Sequence, residues 1–466
     1  MVLAYNIKDR PPVKKIVLSA LQQLLAVIAG TIAMPIVVGH GMSQSAALLG
    51  AGIGTIVYLL ITRFRSPVFL GSSFSFIGSL TAAFAGAASA SIGYLGIILG
   101  AFLGGLVYII LAIIVKYAGT KWINKIAPPV IIGPTVAIIG LTLAPNAINN
   151  LLQGSVYNEA GVSVASPYIT LLCGLVTLFT SIAISVYAKK LIKLIPFIIG
   201  ILAGYALASI FTIIGMTCDL DALKIIDFSA FKAIKWIPEF SFVKAIQGIK
   251  DFESVGQFFS YFGLIAIAYV PVSFVCFTEH IADHKNLSFI TGQDLLEDPG
   301  LSKTLCGDGA GSFVGAFFGG CPNTTYGESI SCTALSRNAS TITILAAAIM
   351  AVVVSFVGPV MTFCQTIPTC IIGGLSIALY GFIASSGFQM LSKVDMSDHR
   401  NIFVVSAILI AGVGGLVIQF YEFRFSPIAC ALALGIIVNL LVNIKPKKEP
   451  KIEPENIKNC EEEKRP

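Results

Sequence analysis

The sequence predicts an all-α polytopic membrane protein with fourteen transmembrane segments in two inverted seven-span repeats. Spans 3 and 10 are predicted to be broken, each into a short extended stretch plus a half-helix. Three observations carry this. The 466 residues are 56% hydrophobic and 12% charged, with a mean hydropathy of +0.88, against roughly 45–50% apolar and 25% charged in a soluble domain. Uncharged apolar runs such as Leu95 to Val115 reach the ~20 residues that a helix needs to cross ~30 Å of hydrocarbon. Lysine and arginine collect in alternate connections between those runs. Such runs cross as helices, whose backbone groups are satisfied within the segment.

The elements follow in order. The first run, 16–38, is too long for a signal-peptide core and lacks a convincing cleavage site, so it is read as the first span. Runs at 44–62, 70–85, 92–115, 128–147, 167–188 and 194–216 complete a first repeat, 16–216. A long connection, 217–259, precedes the second repeat, 260–443, with runs at 260–284, 304–319, 324–336, 340–362, 368–391, 401–419 and 425–443. With residues 1–15 in the cytoplasm, the inner segments hold 24 of the 30 Lys and Arg, and five of the other six lie in 217–259. That asymmetry follows the positive-inside rule, so both termini are expected to be cytoplasmic and 217–259 extracytoplasmic. The net charge of +6 then reflects orientation, and no nucleic-acid partner is implied. The charged tail, 444–466, reads as a solvated, disordered end. Ten cysteines are scattered without a C-x-x-C pair; they read as packing residues, without a metal site or disulfide framework.

An odd number of spans per repeat forces the two copies to be inverted. This is a usual construction of secondary transporters, which bind substrate where discontinuous helices meet near the midplane. Each half offers one such segment: "SPVFLGSSFSFIGSLTAAF" (Ser66 to Phe84) and "GGCPNTTYGESISCTALSR" (Gly319 to Arg337). Glycine permits bent backbone and proline removes a donor. Irregular backbone at that depth is tolerated only against protein or a water-filled cavity. A half-helix starting after "TTYG" aims free N–H groups at a ligand's carbonyl or anionic oxygen. The small residues could instead serve close helix packing. Glu328 could not, since a carboxylate at the bilayer centre costs at least ~2.5 kcal/mol.

The eighth run ends in "VSFVCFTEHIADHKNLSF". Glu279 and Asp283 are four apart and share a helix face, so in a dry site one of them tends to keep its proton and can carry it. Glu279, Asp283 and His280 are therefore the proton-coupling candidates. His284 and Lys285 read as the wet cytoplasmic end of the helix. His40 and His399 fall in loops and take no role.

Six ordered blocks carry a resemblance to a known family: "LQQLLAVIAGTIAMP" (Leu21 to Pro35), "GSSFSFIG" (Gly71 to Gly78), "TEHIADH" (Thr278 to His284), "DPGLSKTLCGDG" (Asp298 to Gly309), "PNTTYGESI" (Pro322 to Ile330) and "LYGFIASSG" (Leu379 to Gly387). Together they resemble the nucleobase/ascorbate transporter family, in particular its bacterial uracil permease branch, from about residue 16 to 443. The resemblance implies a core domain of spans 1–4 and 8–11, a gate domain of spans 5–7 and 12–14, and substrate between the broken spans 3 and 10. By matching motif positions, the family's two substrate carboxylates fall on Glu279 and Glu328, its backbone contacts on Phe74 and Gly327, and its gate-side aromatic on Tyr380. It implies import of a nucleobase by proton symport with alternating access in the plasma membrane. The proton is the coupling ion, no cofactor is needed, membrane lipid surrounds the protein, and a homodimer is compatible with the architecture.

Uracil suits such a site, because its ring offers N–H donors to carboxylates, carbonyl acceptors to backbone N–H groups and a flat face to an aromatic. The "PNTTYGE" form favours uracil; xanthine or another purine is the alternative, and an inorganic anion a more distant one. An anion would want a cation beside the broken helices, where the sequence offers only Glu328 and the distant Arg337. Two positions depart from the family's pattern: Gln22 and Gln23 stand where many relatives have Gln-His, and Asp283 stands where the uracil branch can have His. The group that shares the proton of Glu279 is thereby left open. A channel would want a polar stripe down a helix, and an enzyme a nucleophile elbow, zinc signature or phosphate loop. The sequence contains none of these.

Overall fold

The computed structural model describes residues 3–119, 128–158, 162–189, 192, 196–232, 234–392, 394–420, 423–424 and 427–443. The expected charged tail, 444–466, lies outside them. The first half runs α1 (Val13–Val38), α2 (Gln44–Ile61), a strand β1 (Leu70–Ser72), a 3-10 turn (Phe74–Phe76), α3 (Ile77–Ala85), α4 (Ala90–Ala118), α5 (Pro129–Leu151), α6 (Pro167–Tyr187) and α7 (Pro196–Thr217). The second runs α8 (Ser241–Lys250), α9 (Val255–Thr291), α10 (Leu301–Gly319), β2 (Asn323–Thr325), α11 (Gly327–Ser336), α12 (Thr341–Ser355), α13 (Gly358–Gln365), α14 (Thr369–Leu391) and α15 (His399–Val413). A small ribbon, β3 (Gln419–Phe420) with β4 (Phe423–Arg424), leads to α16 (Pro427–Val442).

Among the described residues, seven helices are long and apolar enough to cross a membrane unaided, and α12 with α13 forms an eighth candidate bent by 79°. The remaining segments are shorter or more polar. At 1.5 Å rise per residue, the ten residues of α11 cannot cross by themselves; β2 precedes them in the chain. Strand and half-helix fall where the two Gly- and Pro-rich stretches predict them.

Three elements differ from expectation. The eighth run continues as helix past residue 284 to Thr291, where Gly292 caps it in the left-handed region (φ 68°). The run expected at 340–362 turns sharply between α12 and α13. The long connection contains the amphipathic helix α8, which buries Ser241, Ala245 and Gly248 and exposes Val243, Ile246 and Ile249.

Packing divides the helices into two groups. In the first, α10 lies between α2 and α4, with glycines at the crossings. A Cβ at Gly50 would stand 2.5 Å from the Gly315 carbonyl oxygen, and one at Gly105 would stand 3.0 Å from that of Gly309. Only glycine lets these backbones touch, which is how helices gain contact where lipid removes the hydrophobic drive. In the second group α14 packs along α5 and α6, and a Cβ at Gly140 would stand 2.3 Å from the Tyr380 carbonyl oxygen. The groups meet where Val136 and Ile139 of α5 close on Val275 of α9.

The connections sort into two ends. At one, the Ala4 amide donates to the Arg337 carbonyl (2.8 Å), the Thr341 amide donates to that of Ile7 (3.1 Å), and Arg65 pairs with Asp298 (2.7 Å). At the other, the Lys244 ammonium donates to the Gly41 carbonyl (3.1 Å), the Ser89 hydroxyl to Asp251 (2.6 Å), and the Ser166 amide to the Ala222 carbonyl (2.8 Å). Each contact joins segments that the charge pattern expects on one side.

Candidate functional site

The two breaks meet. β1 pairs antiparallel with β2, Leu70 opposite Thr325 and Ser72 opposite Asn323, and the Ser73 amide donates to the Pro322 carbonyl (3.0 Å). Side-chain hydroxyls serve the backbone groups that the ladder leaves over: the Phe69 amide donates to Ser329 Oγ (3.1 Å) and the Leu70 amide to Thr55 Oγ1 (2.9 Å). In a dry environment each orphaned backbone group costs several kcal/mol. That cost is the reason for the local density of Ser, Thr and Asn.

Most of "PNTTYGE" is therefore cradle. Asn323 donates to the Gly50 carbonyl (3.0 Å) and fills space that a Cβ at Gly315 would invade, at 2.1 Å from its amide nitrogen. The Tyr326 ring lies against Gly30 and Gly71; a Cβ would stand 1.9 Å from its hydroxyl at Gly30 and 2.5 Å from its ring at Gly71. What remains open is Gly327 and Glu328. Gly327 is exposed with no atom within 4 Å of an added Cβ, and Glu328 is half-buried. The α11 helix starts here without a side-chain cap, and so does the 3-10 turn at Phe74. From the ladder, α3 runs toward the end that holds Ser89 and α11 toward the end that holds Arg337. Both uncapped starts thus lie between the ends and present first-turn N–H groups, one of them donating to the Glu328 carboxylate itself, and the positive ends of their dipoles.

Helix α9 reads both breaks. Glu279, half-buried, accepts from Ser75 Oγ at 3.1 and 3.2 Å through its two oxygens. Asp283, one turn on, accepts from Thr325 Oγ1 at 2.7 Å and lies within electrostatic reach of Glu279, Asp308 and Glu328. The two carboxylates share a face as their spacing predicts, yet each answers to a different broken segment.

His284 corrects the expectation of a wet helix end. It is fully buried, while Lys285 is exposed. Its Nδ1–H donates to the His280 carbonyl (2.9 Å), so in the neutral ring Nε2 accepts from the Ser66 hydroxyl (3.1 Å), which in turn accepts from the Tyr58 hydroxyl (2.7 Å); the Tyr58 oxygen stands 2.9 Å from Nε2. With its polar atoms met inside the protein, the helix continues beyond it. His280 is also buried, with Nδ1 2.7 Å from Asp308 and Nε2 3.0 Å from Thr304 Oγ1.

Asp308 is the residue that sequence reasoning missed. Its signal was legible, a lone carboxylate in the glycine-rich run "CGDGAG", and ionisable groups in spanning helices mark function by default. Ser75 and Thr325 carried no such signal, being two hydroxyls among many.

The aromatic candidates meet from opposite groups. Phe74 stands edge-on to Tyr380, with ring centroids 6.4 Å apart at 75°. Tyr380 is 2% exposed and held against α5 at Gly140, so it faces the interior. Gln23, one of the two positions that depart from the family's pattern, donates to the Ser329 carbonyl (3.2 Å) and Thr333 Oγ1 (2.9 Å), and so ties α1 to α11. Phe74, Glu279 and Tyr380 thus surround one break, and Gly327 and Glu328 head the other beside Asp283.

Comparison with known proteins agrees with the resemblance. A family model described as "Permease family" (Xan_ur_permease) matches residues 14–420. The chain is 37% identical over 442 residues to the uracil permease of Bacillus caldolyticus, covering 93% of each chain. It is 32% identical over 435 residues to the uracil permease of Escherichia coli K12, covering 93% of this chain and 92% of that one. Among solved structures, the transmembrane domain of the cyanobacterial bicarbonate transporter BicA superposes with a TM-score of 0.60 at 15% identity, over 94% of this chain and all of that one. The murine anion transporter Slc26a9 gives 0.64 at 11% identity, over 93% and 69%. These two speak for the fold alone. The apolar helices, the paired breaks and the matches over nearly the whole length together mean that the chain is an integral membrane protein and belongs to the nucleobase/ascorbate transporter family.

Proposed function

We propose that this protein imports uracil across the plasma membrane by proton symport with alternating access. The observation that carries the reading is the arrangement of Glu279 and Glu328 around two uncapped helix starts, with the Phe74 and Tyr380 rings edge to face beside them. Uracil's N–H groups would be accepted by the carboxylates, its carbonyls would accept from amides at Phe74 and Gly327, and Tyr380 would cover its face. The relatives named uracil permease favour uracil over a purine.

In this reading the chain makes fourteen crossings in two inverted repeats with both termini cytoplasmic. The ladder of β1 and β2 replaces helix at mid-depth in crossings 3 and 10, and the sorting of connections to two ends supports the count. The group around α10 acts as core, carrying the site, and the group around α5 and α14 acts as gate. Glu328, at a helix start, stays ionised and accepts from substrate. Glu279 carries the coupling proton, with Asp283 and the His280–Asp308 pair beside it.

Uptake of radiolabelled uracil, xanthine and sulfate into proteoliposomes, with and without an inward proton gradient, tests this. Uracil should accumulate only with the gradient, and xanthine and sulfate should not compete. Accumulation that follows sodium, or that survives a protonophore, overturns the coupling.

A further inference from the structure

We propose that Ser75 is a positioning residue for Glu279, a hydroxyl in the first broken segment that fixes how the carboxylate is presented to substrate. This rests on the reading of Glu279 as a substrate carboxylate. Ser75 is 5% exposed, and its hydroxyl stands 3.1 and 3.2 Å from the two carboxylate oxygens. A hydroxyl has one proton, and a carboxylate has about four lone-pair positions. Centred between the oxygens, the hydroxyl holds the carboxylate head in place and leaves lone-pair positions on both oxygens for substrate.

The register of the turn is set independently. Phe76 stacks on Tyr269 of α9 with centroids 5.6 Å apart, and Ser79 Oγ donates to the Ala268 carbonyl at 2.7 Å. Between this anchor and Phe74, which points to Tyr380, the Ser75 hydroxyl donates to Glu279, with the Cys276 thiol also in contact with it. Three successive residues of one 3-10 turn thus serve the aromatic wall, the carboxylate and the scaffold. Thr325 does for Asp283 from the second broken segment what Ser75 does for Glu279 from the first. The inverted repeats therefore contribute one hydroxyl each to neighbouring carboxylates of α9.

Ser75→Ala, Ser75→Cys and Ser75→Thr separate donor strength from packing volume, read as uracil KM, maximal uptake rate and calorimetric Kd in purified, reconstituted protein. Loss of a hydrogen bond to a charged group corresponds to about tenfold in affinity. The expected order of KM and Kd is therefore Thr close to wild type, Cys intermediate and Ala raised about tenfold, with maximal rates within about twofold. Should the Ala variant fail to fold, the order of Cys and Thr alone decides. Wild-type affinity in the Cys variant with weak binding in the Thr variant would make Ser75 a packing residue and overturn the proposal. Unchanged KM in Ser75→Ala, while Glu279→Gln has lost affinity or accumulation, overturns it and leaves the site reading standing. If Glu279→Gln binds and accumulates uracil as wild type does, the site reading fails and takes the proposal with it.

Discussion

At the scale of single residues, the four carboxylates near the breaks divide by their surroundings. Glu328 heads α11, where its own backbone amide donates to the carboxylate and the helix dipole favours a negative charge. Glu279 lies mid-helix in α9, with one hydroxyl donor and no helix start of its own. Glu279→Gln is therefore expected to abolish proton-driven accumulation of uracil while leaving exchange. Glu328→Gln should weaken binding by about 1–3 kcal/mol, as for a lost charged hydrogen bond. Calorimetry and counterflow on both variants decide between these roles. A contrast is available at the surface. The Arg65 guanidinium beside Asp298 holds that carboxyl below the usual carboxylate range. A depressed value means the contact is fully formed above the unfolded pKa of about 4 and is lost only as pH falls through the lower folded value. With its value lowered, the Asp298 carboxyl does not titrate between about pH 5.5 and 8, so Asp298→Asn should leave the shape of the pH–uptake curve unchanged there, while Glu279→Gln should flatten it. A changed shape in Asp298→Asn would place the proton-sensitive group at this tether.

At the scale of elements, the broken segments hold together because neighbouring helices lack side chains where the strands need room. Asn323 is the clearest case: its amide reaches the Gly50 carbonyl only because Gly315 has no Cβ. Gly315→Val would place carbon 2.1 Å from that amide, displacing it and leaving a buried amide donor unmet. The expected cost is about 2–4 kcal/mol from overpacking plus the lost hydrogen bond, read as a lower midpoint of thermal unfolding in detergent. Uracil affinity should fall with it, because β2 positions Gly327 and Glu328. Gly78, which has open space beside it, should by contrast accept alanine with no loss of stability. The breaks were legible in the sequence through Pro, Gly and hydroxyl density. Their antiparallel pairing was not, because residues 70–72 and 323–325 are about 250 positions apart and a three-residue strand has no periodicity to read.

At the scale of the molecule, transport by the proposed mechanism requires the group around α10 to move against the group around α5 and α14. The contact of Val136 with Val275 lies on that boundary, and both side chains are buried. Cysteines at these two positions, with Cys276 replaced by Ala, should cross-link on oxidation and lose at least about tenfold in uptake rate, with recovery on reduction. Binding of uracil from one side should persist in the locked state. Full uptake with the cross-link in place would show that the boundary is static and that motion occurs elsewhere.

Composition and apolar run length determined that this chain is an integral membrane protein with several spanning helices, because apolar length is a local property that the bilayer reads directly. Motif positions further singled out Glu279, Glu328, Phe74, Gly327 and Tyr380. Only the tertiary structure decided their partners. It gave Ser75 to Glu279, Thr325 to Asp283 and Asp308 to His280, and it turned His284 from an expected wet end into a buried link with Tyr58 and Ser66. The reason is physical: a polar group in a dry interior must be satisfied by whichever group the packing brings within about 3 Å, and that neighbour is set by helix crossings between residues far apart in the chain.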